Sequence, residues 1–230
     1  MANSLEQNDV ARGNVLARIR KALSVVAPDP QRVAAARDYV AGRAQGPRPA
    51  MPADLVARFA KRAHDMASTV ERIAGADEIP HAVARYLDAL DLPAAISDQR
   101  SKLGVCWPEF ADLDWSSAGL SIEARPTLGH DRLGITGCFC AIAETGTLVM
   151  TAGAATPTAT TLLPDTHVAV VRSGRIVSGM EEAFALIRAE HPGMPRAVNM
   201  ISGPSRTGDI EQTIVLGAHG PFRVHILLLD

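Results

Sequence analysis

Residues 167–202, "HVAVVRSGRIVSGMEEAFALIRAEHPGMPRAVNMIS", have the pattern of a strand, a helix and a second strand. Ser178 with Glu181 predicts a capping box, and Pro192-Gly193 predicts the end of the helix. The buried stripe of this helix is predicted to comprise Met180, Ala183, Phe184 and Ile187. The stretch therefore predicts a βαβ unit. Its right-handed crossover would put the loop after residue 202 at the carboxyl edge of a parallel sheet, where open α/β sheets bind ligands.

Further apolar runs on both sides of this stretch extend the predicted sheet. They are "STVERI", "PAAIS", "LSIEAR", "CFCAIA", "TLVM" and "FRVHILLL". Several are continuous apolar runs, which is typical of strands covered on both faces. The sequence therefore predicts a layered α/β/α fold with a central sheet.

The first part of the chain is predicted to be helical. Leu16, Ile19 and Leu23 share one face of a first helix, and a second is predicted over residues 31–44. Three prolines in residues 46–54 indicate a linker. We therefore predict an N-terminal helical arm with its linker over residues 1–53 and an α/β domain over residues 54–230.

Composition narrows the classes of function. In 230 residues the net charge is −2, which provides no general attraction for nucleic acid. The sequence has no stretch of some eighteen apolar residues and no signal-peptide pattern, so we expect a cytoplasmic protein without membrane insertion. Cys106, Cys138 and Cys140 form no CxxC pair, which predicts reduced core thiols and no metal site.

Residues 200–213, "MISGPSRTGDIEQT", predict either an anion-binding loop or a self-capped helix start. The spacing of Gly203 and Gly208 matches a P-loop, but Asp209-Ile210 replaces the Lys-Ser/Thr pair that a P-loop needs. Glycine N–H groups, the hydroxyls of Ser202, Ser205 and Thr207, and the Arg206 guanidinium would suit a phosphate or carboxylate. Thr207 or Asp209 would then cap a helix that begins near Gly208. In the alternative, this helix start is capped by its own hydroxyls and Arg206 is solvated.

Two other loops carry ionisable candidates. His219 lies between glycines in "GAHGP", so it is predicted either to face a ligand and exchange protons or to bind a backbone carbonyl. Glu144, in "AIAETGTLVM", is predicted to be either a nucleophile or general base at a strand end or an ordinary turn residue. Trp107 and Trp115 flank the acidic segment "WPEFADLDW", which predicts either a pocket wall or surface cover.

Four motifs together resemble the LutC/YkgG group of lactate-utilisation proteins, which carry the LUD domain. The motifs are "AIAETGTLVM", "LLPDTHVAVV", "SGPSRTGDIE" and "GAHGP", and their order and spacing also match. The matching positions are Glu144, Thr145 and Gly146; Pro164; Gly203, Pro204, Ser205, Arg206, Thr207, Asp209 and Glu211; and His219, Gly220 and Pro221. Relatives commonly have arginine where this chain has Thr158. If that arginine holds an anion in the relatives, the resemblance implies that this chain uses Arg206 or Arg172 instead, or binds a less charged ligand.

The resemblance implies a fold similar to the sugar-phosphate isomerase and CoA-transferase superfamily. It also implies a role in the oxidation of L-lactate to pyruvate by a three-part system whose other two members carry iron–sulfur clusters. This chain would be the subunit without a cluster, and it would bind a small anion or a phosphorylated ligand. Its cofactor, if it has one, is unknown.

Two other functions are compatible with the sequence. The chain could be a transferase or isomerase acting on a CoA ester or a sugar phosphate, with Glu144 as base or nucleophile. A ligand-sensing module is the third alternative, and no helix-turn-helix or basic recognition stripe supports it.

Overall fold

The computed structural model describes residues 2–24, 29–90, 102–210, 213–217 and 219–230. Contacts divide the chain into two units, Met1–Arg48 and Pro49–Asp230. The first unit contains helices α1 (Ala2–Ala22) and α2 (Pro30–Gly42). The Asp29 carboxylate accepts a hydrogen bond from Gln31 N at 2.9 Å, and this cap together with Pro30 fixes the start of α2.

The second unit combines four helices with twelve strands among its described residues. The helices are α3 (Leu55–Asp65), α4 (Ile79–Asp88), α5 (Ala159–Leu162) and α6 (Met180–Glu190). The strands are β1 (Thr69–Ile73), β2 (Leu103–Cys106), β3 (Ser121–Ala124), β4 (Leu133–Thr136), β5 (Cys140–Ile142), β6 (Thr147–Thr151), β7 (Thr166–Arg172), β8 (Ile176–Val177), β9 (Val198–Ile201), β10 (Arg206–Ile210), β11 (Thr213–Leu216) and β12 (Arg223–Leu229).

Six of these strands form a parallel sheet in the order β1-β12-β7-β4-β2-β3. The two longest, β7 and β12, lie near its middle and are buried along almost their whole length. Helices α3 and α4 pack against β1, and α5 packs against β4 and β7. A parallel sheet must be covered on both faces, which explains the continuous apolar runs. The predicted mixed α/β fold with a central parallel sheet is therefore confirmed.

A second sheet of four strands has the order β8-β5-β6-β9. Strand β6 is antiparallel to both of its neighbours, β5 and β9. Helix α6 packs on β5, and α3 contacts both β1 of the large sheet and β8 of the small one. Because α3 contacts both sheets, its carboxyl end is placed beside the loops described below.

The predicted βαβ unit is wrong. Strand β7 belongs to the large sheet, whereas β9 belongs to the small sheet and pairs with β6 in an antiparallel register. Helix α6 therefore connects two sheets and does not cross over within one. An apolar run shows that a segment is buried, but it does not identify the strand with which that segment pairs.

Two local predictions also need correction. The cap of helix α6 lies one residue later than predicted: Gly179, not Ser178, is the capping residue, and its N–H donates to Glu182 Oε2 at 3.0 Å. Of the predicted stripe, Ala183 and Ile187 are buried and Phe184 is half-buried, but Met180 is 49% exposed. The run "PAAIS", residues 93–97, lies outside the described residues.

Candidate functional site

The first motif forms a tight turn between β5 and β6. Gly146 N donates to Ile142 O at 2.9 Å, and Gly146 has a φ of +72°, which favours glycine. Glu144 N donates to Ser178 O at 3.0 Å, so the turn is tied to the end of β8. The Glu144 side chain is half-buried and Thr145 is exposed. Strands β5 and β8 run parallel, so Glu144 lies where both strands end.

A chain of hydroxyl groups joins the first motif to the third. Thr147 Oγ1 lies 2.6 Å from Thr145 Oγ1 and 2.7 Å from Ser202 Oγ. Thr147 is 5% exposed, so its hydroxyl needs both partners, whereas Thr145 and Ser202 are exposed. The structure thus brings together two segments that are 55 residues apart in the sequence.

The glycines of these two motifs make close contact with α3. A Cβ on Gly146 would lie 2.4 Å from Ala63 N, and one on Gly203 would lie 2.0 Å from Met66 O. Gly203 also has a φ of +82°. Close packing against the end of α3 accounts for both glycines, and their part in ligand binding stays a prediction.

The third motif is joined in turn to the fourth and the second. Ser205 N donates to Pro221 O at 2.9 Å, and Gly217 N donates to Ser205 O at 2.9 Å. A Cβ on Gly220 would lie 3.1 Å from Ser205 Cβ and 3.9 Å from Leu162 O. We call residues 144–147, 202–205 and 220–221 the motif cluster.

The predicted helix after Gly208 is wrong, because β10 and β11 form a hairpin there. Arg206 pairs with Leu216 and Thr207 with Val215, and the register shifts before Ile210 pairs with Thr213. Ile210, Thr213, Ile214 and Val215 are β-branched residues, which favour strands. Thr207 and Asp209 therefore lie within a strand and do not cap a helix.

The remaining predicted site residues lie around this hairpin. Arg206 is exposed at the start of β10, Thr207 is half-buried, and His219 is exposed beyond β11. Asp209 lies in β10 at the register shift, and Glu211 lies outside the described residues.

The motif cluster lies at the amino edge of the large sheet, not at the predicted carboxyl edge. Its contacts reach Met66, three residues before β1; Leu162, four residues before β7; and Pro221, two residues before β12. Because β9 runs into the cluster from the small sheet, the cluster does lie at a carboxyl end there. The edge was predicted wrongly because β9 was expected in the large sheet.

This placement separates Arg172 from the cluster. Arg172 is the last residue of β7, six residues beyond Thr166, so it lies about 20 Å along the strand from the cluster edge. Thr158 directly precedes α5, and Thr161 Oγ1 donates to its carbonyl at 2.7 Å. Of the two arginines proposed to replace an arginine at position 158, only Arg206 adjoins the motif cluster.

A cleft of about 740 Å³ opens farther along the same amino edge. Leu163 and Asp165 of the second motif line it on one side, together with residues from β2, β3 and the loop before β4. Asp165 O accepts a hydrogen bond from Arg223 N at 3.0 Å, two residues after Pro221, which bonds to Ser205. The cleft wall is thus joined through the backbone to the motif cluster, and its volume suits a small organic ligand.

Arg125 and Asp131, which both line the cleft, form a charged pair. Arg125 donates to both carboxylate oxygens of Asp131, at 3.0 and 2.8 Å, and also to Glu123 at 2.6 Å. Asp131 accepts further bonds from Thr127 Oγ1 at 2.7 Å and Leu128 N at 3.1 Å. These bonds, those from Arg125 first, hold the pKa of Asp131 well below its ordinary value. Asp131 and Arg125 are therefore structural.

Two other residues that line the cleft, His130 and Arg132, are better placed to contact a ligand. His130 is exposed, and Arg132 is joined to Asp165 at 3.1 Å by a pair that is about half exposed on both sides. An exposed pair of this kind contributes little energy, so a ligand could displace it. Sequence reasoning missed Arg125, His130, Arg132 and Asp165. The charged residues in "GHDR" were the signal available in the sequence. They do not indicate that Asp131 pairs with Arg125, six residues earlier.

Burial disfavours the reactive thiolate form of the three cysteines. Cys106 and Cys140 are buried, and burial raises the pKa of each to about 11. Burial also raises the pKa of Cys138, whose Sγ donates to Cys140 O at 2.7 Å. Within the described ranges, no group of three His, Cys, Asp or Glu residues is arranged to hold a metal ion.

Trp107 and Trp115, whose segment was predicted to be a pocket wall or surface cover, are both core residues. They are 3% and 6% exposed, and each indole N–H donates to a backbone carbonyl, Trp107 to Pro157 at 3.4 Å and Trp115 to Phe110 at 3.0 Å. Helices long and apolar enough to cross a membrane do not occur in the described part of the chain.

Comparison with known proteins connects this chain to one family. The sequence profile of the LUD domain matches residues 56–229. Lactate utilization protein C of Deinococcus radiodurans is 30% identical over 191 residues, which cover 80% of this chain and 83% of that protein. Lactate utilization protein C of Bacillus subtilis is 33% identical over 129 residues, covering 51% of this chain and 54% of that protein. The match thus spans about half the length of the Bacillus relative.

A solved structure supports the fold. The crystal structure of a DUF162 family protein from Deinococcus radiodurans aligns with a TM-score of 0.55 at 24% identity. The alignment covers 79% of this chain and all of that chain. At this level of identity, the likeness is evidence for the fold alone.

Proposed function

Because the chain belongs to the LUD domain family, we propose that it is a cytoplasmic component of a lactate utilisation system that oxidises L-lactate to pyruvate. Two of its relatives are named lactate utilization protein C, and one of them aligns over most of both chains. The motifs that carry the resemblance are far apart in the sequence and meet in the motif cluster. That convergence is the observation on which the proposal of a ligand site depends.

The site would take a small anion or a phosphorylated ligand. Ser205 belongs to the motif cluster and Arg206 follows it directly. Thr145, which follows the half-buried Glu144, and Ser202 are both exposed residues whose hydroxyls are joined through Thr147. A guanidinium with several hydroxyl donors suits a carboxylate or phosphate. Gly146, Gly203, Thr207, Asp209 and His219 complete the proposed set, and the neighbouring cleft offers room for the rest of a larger ligand.

The proposed partners are the iron–sulfur subunits of the same system. Such clusters are commonly held by four cysteine thiolates, whereas this chain has three cysteines, of which Cys106 and Cys140 are buried. We therefore assign the clusters to other subunits and give this chain the role of binding the anionic ligand.

Deletion of the gene tests the pathway. We expect the deletion strain to grow poorly on L-lactate and normally on pyruvate, because only the first carbon source requires lactate oxidation. The host must lack a second route for lactate oxidation. Failure of a strain without all three genes of the system to grow on L-lactate establishes this. Equal growth of the single mutant and its parent on both carbon sources would remove the proposal's support.

A second candidate function is a transferase or isomerase acting on a CoA ester or a sugar phosphate. Glu144 favours it, since this half-buried carboxylate lies at two strand ends next to a chain of hydroxyls. A carboxylate in such a place can serve as a base or nucleophile. Assay of the purified protein and of Glu144→Gln on acyl-CoA and phosphosugar substrates tests this function.

A further inference from the structure

The charges that line the cleft at the amino edge of the large sheet do not balance. Among the described residues that line it, Glu123, Asp131 and Asp165 are acidic, and Arg125 and Arg132 are basic. With an uncharged His130, the lining therefore carries one net negative charge. A phosphate placed in the cleft would lose hydration and meet this charge. The cleft therefore disfavours the anion that the motif cluster is proposed to hold.

The guanidinium of Arg125 does not offset this excess, because its donors are already used. Its two Nη atoms donate to both oxygens of Asp131, at 3.0 and 2.8 Å, and one of them also donates to Pro126 O at 3.1 Å. Its Nε donates to Glu123 at 2.6 Å. One cation thus faces two carboxylates. The side chain of Asp131 is almost fully buried against Arg125, whereas that of Glu123 is mostly exposed, so the uncompensated charge lies at Glu123.

Asp165 provides a second acceptor on the other side of the cleft. Its carboxylate is bonded to Arg132 at 3.1 Å, and its side chain is about half exposed. The strand order places β3, which carries Glu123, three strands from β7, which Asp165 directly precedes. At the spacing of adjacent strands, the two acidic residues are about 15 Å apart. Carboxylates thus lie on both sides of the cleft, and each can accept a hydrogen bond from a ligand.

Two leucines give the cleft an apolar surface. Leu103 is the first residue of β2 and Leu163 lies two residues before Asp165; both line the cleft and both are about half exposed. Covering such exposed leucine surface stabilises a bound apolar group. Leu163 also follows Leu162, whose carbonyl oxygen would lie 3.9 Å from a Cβ on Gly220 in the motif cluster. The apolar surface of the cleft therefore begins beside the motif cluster.

We propose that the cleft binds an apolar group that carries a protonated amine. The ammonium pairs with Glu123, where the negative charge is uncompensated, and the apolar body packs on Leu103 and Leu163. An ammonium has three donors and no acceptor, so it matches a carboxylate that lacks a cation of its own. The inference rests on the proposed function in one respect: this group is the remainder of the ligand whose anion adjoins Arg206. The preference of the cleft for an amine is tested without that anion.

Titration of the ¹⁵N-labelled full chain with three probes tests the proposal. n-Hexylamine, n-hexanol and hexanoate have apolar chains of similar length and are positively charged, uncharged and negatively charged. The amide signals of Gly104 and Gly129, which line the cleft, report binding, and Gly203 of the motif cluster is the reference. We expect n-hexylamine to move both cleft signals saturably and to bind about fivefold or more tightly than hexanoate, with n-hexanol between them. This difference should shrink at about 0.5 M salt, which screens exposed charges.

Two variants separate the charge from the apolar surface. Glu123→Gln keeps an oxygen for Arg125 Nε and should remove most of the preference for the amine. Leu163→Ser should weaken all three probes by a similar factor, about threefold or more, because it removes apolar contact and no charge. The matched controls are Asp112→Asn, at an exposed acid, and Leu128→Ser, at a leucine more exposed than Leu163; both lie outside the described lining of the cleft and should change no affinity.

Inorganic phosphate, added alone, tests the anion site separately. It should move the Gly203 signal and leave Gly104 and Gly129 in place. A fixed Gly203 signal with intact binding of n-hexylamine would contradict the proposed anion site and leave the preference of the cleft established. Cleft signals that stay fixed with every probe, hexanoate that binds as tightly as n-hexylamine, or an unchanged preference in Glu123→Gln would overturn the proposal for the cleft.

Discussion

Ser205 donates its backbone N–H to Pro221 O at 2.9 Å, and its own carbonyl accepts a bond from Gly217 N at the same distance. These two bonds close the base of the β10–β11 hairpin and bind the third motif to the fourth. Met66, Leu162 and Pro221 then place both motifs at the starts of three strands of the large sheet. The motif cluster therefore stabilises the fold, and variants can separate this structural role from ligand binding.

Gly203→Ala should destabilise the protein. Its φ of +82° disfavours a side chain, and the new Cβ would lie 2.0 Å from Met66 O. Strain and overpacking together should cost about 2–4 kcal/mol, measured by urea unfolding. Gly208→Ala is the matched control, because no atom lies within 4 Å of its Cβ position and its cost should stay below about 1 kcal/mol. Equal costs for the two variants would contradict the packing role.

Asp131→Asn should destabilise the protein by roughly 2–3 kcal/mol at pH 7. The folded-state pKa of Asp131 is lowered, first by its bonds to Arg125, so the unfolded chain binds more protons as the pH falls. The contribution is therefore complete above the unfolded pKa of about 4 and is lost as the pH falls towards the folded pKa.

The measurement is urea unfolding of the wild type and Asp131→Asn from pH 7 down to pH 3. The difference between them should narrow below about pH 4, where the wild-type carboxylate begins to lose its advantage. Asp112→Asn, a change at an exposed acid, should leave the free energy of unfolding close to the wild-type value at every pH. A difference for Asp131→Asn that widens as the pH falls would have the wrong sign.

His225 should make stability fall on mild acidification. It is 3% exposed, stacks on Tyr86 with ring centroids 4.0 Å apart, and lies 2.8 Å from Thr69 Oγ1 through Nδ1. Burial lowers its folded-state pKa to about 4, below the unfolded value of about 6.5. Stability is therefore unaffected above about pH 6.5 and declines as the pH falls towards 4.

His225→Phe tests this linkage, because phenylalanine keeps the stacked ring and cannot bind a proton. Between pH 7 and pH 5 the wild type should lose about 2 kcal/mol more than the variant. His167, whose pKa burial also lowers to about 4, is present in both proteins and cancels in the comparison. Parallel pH profiles for the two proteins would show that His225 does not titrate as expected.

Glu144→Gln distinguishes the enzymatic alternative from a binding role. If Glu144 is a base or nucleophile, turnover should fall about 10²–10⁴-fold while ligand affinity changes little, because the amide keeps the shape of the side chain. Steady-state kinetics of the purified protein on acyl-CoA and phosphosugar substrates measures this. Undiminished turnover in the variant would exclude the catalytic role of Glu144.

The composition of the strands could be read from the sequence, but their partners could not. The run that became β7 is apolar because both faces of the sheet are covered, and the sequence indicates that burial directly. The shorter run that became β9 has the same local character, yet it pairs antiparallel with β6 in the other sheet. Sheet membership depends on contacts between distant residues, which local periodicity does not contain.

The motifs indicated which segments of the chain meet, but not the sheet edge at which they meet. The hydroxyl chain brings Thr145 and Ser202 together through Thr147, as their shared membership in one set of motifs had suggested. Local turn chemistry misled at residues 207–210, where Thr207 and Asp209 resemble helix caps but the β-branched residues that follow favour a hairpin.

The central claim is that Arg206 beside the motif cluster holds the anionic ligand on which lactate use depends. The measurement is the growth rate of the deletion strain complemented with Arg206→Gln, with Arg196→Gln, another exposed arginine, as the control at equal protein levels. The account predicts slow growth on L-lactate and normal growth on pyruvate for Arg206→Gln, and wild-type growth on both for Arg196→Gln. Wild-type growth of Arg206→Gln on L-lactate would contradict it.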